Sequence, residues 1–182
     1  MRKEFLRKLE EYYEMQGKKS GFDSYIGSWK VENALFKRRR EVIRSMLPKI
    51  GSGVALDLGC GVGIYSLDLH KIGYVVISLD ISKSYLEKVR SLRMSWFKVS
   101  RGDEWRWYLI NANAEYLPFR DNSLDFILCS EVLEHVPNMF KALREIIRCL
   151  KPGGILVLSI PSSLSFTEKF LSGEEHLHKI IG

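Results

Sequence analysis

Short apolar runs and helical stripes alternate along most of this chain. Five apolar runs predict strands, near 54–58, 75–79, 107–112, 125–129 and 155–160. Between them, apolar residues at helical spacing predict helices near 63–72, 83–93 and 139–150. Strands that alternate with helices indicate βαβ units, which build a parallel sheet covered by helices. The pattern therefore predicts an α/β fold from residue 54 onward.

Turn and capping residues support these helix limits. Ser82 and Asn138 stand where a side-chain oxygen can cap the first turn of a helix. Gly73 closes the helix at 63–72, and the sequence Lys-Pro-Gly-Gly after residue 150 ends the helix at 139–150. The Trp- and Arg-rich segment 95–106 predicts a hairpin-like insertion before the third strand.

The first 50 residues follow a different pattern. Apolar residues at helical spacing predict helices over 3–15 and 32–47. The aromatic stretch 21–29 between them is too irregular to assign. We therefore expect an N-terminal helical cap over residues 1–50 and a second unit over residues 51–182.

Charge is concentrated in that cap. Residues 1–50 hold 13 Lys and Arg against 7 Asp and Glu, which accounts for the whole net charge of +6. A basic appendage can meet an anionic partner such as RNA or a phosphorylated substrate, but a solvated helix surface is the simpler explanation of the charge. Nucleic acid is therefore a possible partner that the sequence does not favour.

Composition indicates a globular protein of the cytoplasm. With 182 residues, 46% of them hydrophobic and 27% charged, the chain can bury one substantial core. No apolar run approaches the roughly 18 residues of a membrane span, and the first residues lack the apolar segment of a signal peptide. Cys60, Cys129 and Cys149 are odd in number and far apart, which favours reduced thiols. We expect a cytoplasmic protein with no membrane contact.

A glycine loop follows the first predicted strand. Asp57 ends the apolar run, and Gly59, Gly61 and Gly63 occupy every second position after it. Such a loop brings backbone amides close to a ligand, so it predicts a site for a nucleotide-like cofactor. Dinucleotide-binding sites typically have the pattern G-x-G-x-x-G. Ile64 occupies the position of the third glycine, and this argues against a nicotinamide cofactor.

Two further motifs follow the glycine loop. Asp80 ends the second predicted strand, where a carboxylate can accept hydrogen bonds from both ribose hydroxyls of an adenosine. The alternative is a turn acid that caps the next helix, a role that Ser82 already fills. Residues 113–125 read Asn-Ala-Glu-Tyr-Leu-Pro-Phe-Arg-Asp-Asn-Ser-Leu-Asp, and an apolar strand with Glu-Val-Leu-Glu-His-Val comes next.

With Leu-Lys-Pro-Gly-Gly at 150–154, these motifs resemble the class I S-adenosylmethionine-dependent methyltransferases of the small-molecule type. The resemblance covers residues 54–160 in unbroken order. It implies a Rossmann-like, doubly wound parallel sheet of order 3-2-1-4-5, S-adenosylmethionine as cofactor and a small-molecule methyl acceptor. The alternatives are an RNA or protein methyltransferase, or a non-catalytic protein that binds an adenosyl cofactor.

The resemblance also implies residue roles at the cofactor. Asp80 would bind the ribose, Ile81 the adenine face, and Asn113 with Ala114 the adenine edge. Asn113 departs from the family, which usually has Asp there, but its carbonyl oxygen can still accept from the adenine amino group. Other residues would face the methionine part or border the methyl group: Asp57, Gly59, Cys60 and Gly61, then Ser130 and Glu131.

The sequence leaves two roles open for each of three further residues. Glu134 and His135 are candidates for a general base, since they follow the fourth strand, but a packing role fits them as well. Arg39 lies within the apolar stripe of the second helix. Its guanidinium either reaches solvent past the stripe or pairs with a carboxylate, of the protein or of the cofactor's methionine end.

The end of the chain departs from the family. Methyltransferases of this kind continue through another helix and two more strands, whereas 22 residues follow Ile160 here. Residues 175–178 resemble a family segment that precedes that helix. We therefore expect the last helix and strands to be missing, and residues 155–160 to form an exposed edge through which the chain can self-associate. His176 and His178 alternate like a metal pair, but two ligands alone predict no metal site.

Overall fold

The computed structural model describes residues 2–19, 34–100, 106–161 and 175–181. The N-terminal part holds helices α1 (Arg2–Lys19) and α2 (Ala34–Met46). The remaining helices are α3 (Ile64–Lys71), α4 (Lys83–Ser100) and α5 (Met139–Cys149). The strands are β1 (Val54–Leu58), β2 (Val75–Asp80), β3 (Trp107–Asn111), β4 (Leu124–Ser130), β5 (Leu150–Pro161) and β6 (Glu175–Ile181). A short 3₁₀ turn spans Leu133–His135.

The six strands form one sheet of order β3-β2-β1-β4-β5-β6. The first five are parallel, with Asp57 of β1 beside Ser78 of β2 and Leu128 of β4. The strand order reverses at β1, so the crevice above its carboxyl end is the place where such sheets bind ligands. The predicted α/β fold with sheet order 3-2-1-4-5 is confirmed.

Helices cover both faces of the sheet, as the apolar runs of the strands require. One face packs on α5 through Ala142, Ile146 and Cys149. The other face packs on α2, α3 and α4, where Ile43 and Leu69 are fully buried. Both predicted caps are present: Asn138 Oδ1 accepts from Lys141 N (3.0 Å), and Ser82 Oγ accepts from Tyr85 N (3.3 Å).

The hairpin-like insertion predicted for residues 95–106 is wrong over residues 95–100. Helix α4 continues through Ser100, because Phe97 packs against the apolar core and the Lys71 ammonium lies over the Trp96 ring at 4.4 Å. Residues 101–105 lie outside the described residues, as does the unassigned stretch 21–29.

The exposed edge expected at residues 155–160 is also wrong. Strand β6 runs antiparallel along β5, and its pairing places Ile155 opposite Ile181 and Pro161 opposite Glu175. Residues 175–178, expected to precede a helix, therefore belong to the last strand of the sheet. No helix in the described part of the chain is long and apolar enough to cross a membrane.

Candidate cofactor site and active site

A cavity opens at the carboxyl end of β1, β2 and β4. Seven residues predicted to hold the cofactor line it: Gly59, Gly61, Asp80, Ile81, Asn113, Ala114 and Glu131. His135, a candidate general base, lines it as well, so the residues implied by four separate motifs meet in one place.

The three glycines of the loop all have positive φ angles, and one of them leaves free space for a ligand. Gly59, Gly61 and Gly63 have φ of 67°, 51° and 82°, a region that costs other residues energy. A Cβ on Gly59 would overlap Val132, and one on Gly63 would lie 3.0 Å from Val89. A Cβ on Gly61 would meet nothing within 4 Å. Gly61 is therefore the position where the loop leaves room for a ligand.

Asp80 joins the glycine loop to the cavity wall. Its Oδ2 accepts from Gly61 N and its Oδ1 accepts from Ser82 N, both at 2.9 Å. The side chain is buried, and burial raises the pKa of its carboxyl although these backbone donors oppose the rise. Each carboxylate oxygen keeps a further acceptor site. The turn role and the ligand role are thus compatible in one residue.

Two asparagines shape the wall beside Asp80. Asn111 Nδ2 donates to the carbonyls of Asp80 (2.9 Å) and Ile81 (2.8 Å), which fixes the turn after β2. Asn113 Oδ1 accepts from Glu115 N (2.8 Å), so the oxygen expected to receive an adenine amino group already has one donor. A second lone pair remains on that oxygen.

Asp57 lies beneath the glycine loop and not on the cavity wall. It ends a chain of hydrogen bonds in the core: Trp107 Nε1 donates to Ser78 Oγ (2.7 Å), Ser78 Oγ lies 2.6 Å from Ser66 Oγ, and Ser66 Oγ donates to Asp57 Oδ2 (2.5 Å). Burial raises the pKa of Asp57 to about 7, against the hydrogen bond from Ser66. The residue is in place to support the loop from below.

Cys60 and Ser130 also lie off the cavity wall. The Cys60 side chain packs in the apolar core on the side of α3 and α4, where burial raises the pKa of its thiol well above the usual value. Ser130 Oγ lies 2.9 Å from Ser159 Oγ on the neighbouring strand.

Glu131 occupies a strained backbone position at the cavity. Its φ is 56°, which is uncommon for a residue with a side chain and concentrates at functional sites. Ser159 Oγ donates to its Oε1 (3.2 Å), and the Arg39 guanidinium lies 3.4 Å from its Oε2. Arg39 therefore points inward and pairs with a protein carboxylate, one of the two alternatives for this residue.

His135 lines the cavity, and two neighbours surround its ring. Its Nε2 lies 3.7 Å from Glu134 Oε1, and the Tyr13 ring stands edge-on to it with centroids 5.7 Å apart. Tyr13 and Tyr85 line the cavity too, although no sequence motif indicates either of them. Tyr13 falls within the helix predicted over 3–15, and the apolar spacing that predicts a helix does not indicate which of its residues face a ligand.

No three His, Cys, Asp or Glu side chains lie together as metal ligands would among the described residues.

Comparison with known proteins places this site in a family. A family model for the methyltransferase domain matches residues 56–158. Over 124 residues the chain is 36% identical to a demethylmenaquinone methyltransferase of Staphylococcus haemolyticus, a match that covers 65% of this chain and 47% of that protein. The chain spans about half the length of the curated relatives it matches.

Solved structures agree with the sequence match. An S-adenosylmethionine-dependent methyltransferase from Mesorhizobium loti is 28% identical, with a TM-score of 0.56 over 66% of this chain and 52% of that chain. Phosphoethanolamine N-methyltransferase 1 of Haemonchus contortus gives a TM-score of 0.70 over 86% of this chain and 32% of that chain; at 18% identity this likeness shows the fold alone. Because the family model covers more than half of the chain, the chain belongs to the methyltransferase domain family, with the class I S-adenosylmethionine-dependent fold that its motifs resemble.

Proposed function

We propose that this protein binds S-adenosylmethionine and transfers its methyl group to a small-molecule acceptor. The observation that carries the proposal is the opening at Gly61 beside the Asp80 carboxylate, in one cavity at the point where the strand order reverses. A ligand with a ribose fits there, because Asp80 offers hydrogen-bond acceptors and the loop carries no side chain at Gly61.

Different residues around the cavity would bind different parts of the cofactor. Asp80 would accept from the ribose hydroxyls, while Ile81, Asn113 and Ala114 would face the adenine. Arg39 and Glu131 form a pair of opposite charges that can hold the carboxylate and ammonium of an amino-acid end. The backbone of Gly59 and Gly61 would face the methionine part, and Asp57, Cys60 and Ser130 would support the site from behind its wall.

The cofactor, when bound, supplies a methyl group that its sulfonium has already activated. The protein then has to hold the acceptor in line with that group, and positioning of this kind can lower a barrier by roughly 7 to 11 kcal/mol. If the acceptor atom carries a proton, His135 would take it, because its ring lines the cavity, and Glu134 would orient that ring from 3.7 Å.

A small-molecule acceptor has more support than RNA or a protein. The curated relatives are named for demethylmenaquinone, a small molecule. Several cations of the basic helix α2, the basis of the RNA alternative, pair with protein carboxylates: Arg40 and Arg44 lie 3.6 and 2.7 Å from the buried Asp68, and Arg39 pairs with Glu131. Lys37 and Arg38 remain as exposed cations of that run.

We also propose that the protein works in the cytoplasm. Cys60, Cys129 and Cys149 are free and buried in the described structure, a pattern that fits a reducing compartment.

Calorimetry tests the cofactor first. We expect S-adenosylmethionine and S-adenosylhomocysteine to bind and NAD to leave no heat signal. Transfer of tritium from methyl-labelled S-adenosylmethionine into a cell extract, separated into small molecules, RNA and protein, then identifies the acceptor class. Binding of NAD without the adenosyl ligands contradicts the cofactor, whereas label in RNA or protein contradicts the acceptor.

A further inference from the structure

Helix α1 is held against the start of α4 by one carboxylate. Glu14 Oε2 accepts from Ser82 Oγ and from Ser84 N, both at 3.1 Å, and Glu14 Oε1 accepts from Ser84 Oγ. These donors keep the pKa of Glu14 below its usual value. Hydrogen bonds to an ionised acceptor are stronger than neutral ones, so this contact fixes α1 at a defined place.

A glycine one turn further along α1 makes the close approach possible. Gly17 is buried, and a Cβ there would lie 2.8 Å from Ser84 Cβ and 2.9 Å from Ser82 Oγ. Glycine inside a helix costs about 1 kcal/mol relative to alanine, so this residue is unfavourable for α1 by itself. Its fit against Ser82 and Ser84 gives a reason for its presence.

Ser82 links this contact to the proposed ribose site. Its hydroxyl donates to Glu14 and accepts from Tyr85 N, while its backbone N–H donates to Asp80 Oδ1. The same turn therefore receives α1 on one side and orients the Asp80 carboxylate on the other.

Tyr13 precedes Glu14 on α1 and lines the cavity. Its ring rests edge-on against His135, and burial raises the pKa of its hydroxyl to about 12, so the side chain is neutral at physiological pH. With Glu14 fixed on Ser82 and Ser84, Tyr13 has a fixed place over the cavity.

We propose that Tyr13 is a binding residue for the adenosyl half of the cofactor and that Glu14 is the positioning residue that holds it there. Helix α1 covers the cavity beside Asp80, the proposed ribose residue, because Tyr13 lies near both Asp80 and Tyr85, while the Arg39–Glu131 pair serves the amino-acid end. This inference rests on the proposed function, because it assumes an adenosyl ligand. It adds that the domain's cofactor site is incomplete without α1.

Two ligands separate the two halves of the site. S-adenosylhomocysteine carries both halves, whereas 5′-methylthioadenosine carries the nucleoside alone. In calorimetry, Tyr13→Ala should raise the Kd of both ligands by about tenfold, the loss typical of an aromatic side chain removed from a nucleobase. Glu14→Ala should raise both by a similar factor, and the double variant should bind no more weakly than either single variant, since both changes remove the same wall. Arg39→Gln should weaken S-adenosylhomocysteine and leave 5′-methylthioadenosine unchanged.

Matched variants keep the test decisive. Glu87→Gln makes an acid-to-amide change on an exposed part of α4, where Glu87 pairs with Arg90, and should bind both ligands as the natural chain does. Gly17→Leu, which places a side chain where Ser84 lies, should reproduce the loss by a route that leaves Tyr13 and Glu14 intact. Circular dichroism and the unfolding midpoint without ligand verify folding, and Tyr13→Leu replaces Tyr13→Ala if the latter unfolds.

The outcomes separate the two proposals. If the natural chain binds neither ligand, the proposed function fails. If the natural chain binds both but folded Tyr13, Glu14 and Gly17 variants bind equally well, the role of α1 fails and the proposed function stands. Additive losses in the double variant would show that Glu14 does not act through Tyr13.

Discussion

At the scale of single residues, Asp80 links two segments of the cavity wall. Its carboxylate accepts hydrogen bonds from Gly61 N in the glycine loop and from Ser82 N before α4. The same carboxylate lines the cavity at the proposed ribose position. A carboxylate that is both buried and supplied with backbone donors can bind hydroxyl groups without moving, because its orientation is already set.

Asp80→Ala should weaken binding of S-adenosylhomocysteine by about 1.5 to 3 kcal/mol, the range for hydrogen bonds to a charged group. Calorimetry on the variant measures the loss, and circular dichroism confirms the fold. An unchanged affinity in the folded variant would mean that Asp80 serves only the turn after β2.

Gly59 and Gly61 should differ in what they contribute to stability and to cofactor binding. Gly61→Ala should cost about 1 to 2 kcal/mol of stability for the positive φ, and should also weaken cofactor binding, because its Cβ enters the cavity. Gly59→Ala should cost more stability, since overlap with Val132 adds about 1 to 3 kcal/mol to the strain. Urea denaturation and calorimetry compare the two variants. Full cofactor affinity in Gly61→Ala would contradict the proposed ligand position.

The residues of the site were predictable to the extent that motifs carry them. The glycine loop, Asp80 and Asn113 lie on local patterns tied to strand ends, so their meeting follows from the parallel sheet. The contact of Tyr13 with His135 and of Glu14 with Ser84 joins positions about 70 to 120 apart in the chain. No local pattern encodes such a pair, because it depends on how α1 packs.

At the scale of elements, the sequence predicted the parallel strands closely but misjudged α4. The Trp- and Arg-rich composition of segment 95–106 predicts an insertion that begins at residue 95. In the structure residues 95–100 extend the helix: Phe97 stacks edge-on with His70 at 5.3 Å, and Arg93 donates to the carbonyl of Trp107. Aromatic residues that looked like loop residues are the contacts of a helix with its neighbours.

Asp57 ends the buried hydrogen-bonded chain that starts at Trp107, and its ionisation should make the free energy of unfolding depend on pH. Its pKa is raised to about 7 in the native state from the usual 3.8, so between these values the native protein holds a proton that the unfolded chain releases. The contribution of Asp57 to stability should therefore be fully present below pH 4 and be lost as pH rises through 7, by on the order of 4 kcal/mol.

Urea denaturation at pH 5 and pH 7.5 measures that fall. Asp57→Asn, which cannot ionise, should lose less stability between the two pH values than the natural chain does. Asp121→Asn, which changes an exposed carboxylate beside Arg148, should keep the natural difference. The same fall in Asp57→Asn as in the natural chain would assign it to another buried group such as Asp80.

At the scale of the whole molecule, β6 determines how the sheet ends. No sequence pattern predicts this strand, because residues 175–178 resemble a family segment that precedes a helix. An antiparallel strand needs a partner edge, and β5 supplies one over residues 155–161. The reason for self-association through that edge disappears once β6 covers it.

Removing residues 175–182 should expose the edge of β5 that β6 covers. The shortened chain would present the unpaired backbone of β5, and an open apolar strand pairs readily with another copy. We expect concentration-dependent association in sedimentation velocity and a lower unfolding midpoint, while the full chain at the same concentrations shows neither change. A shortened chain that remains monomeric with an unchanged midpoint would show that β6 adds nothing to the sheet and that β5 tolerates an open edge.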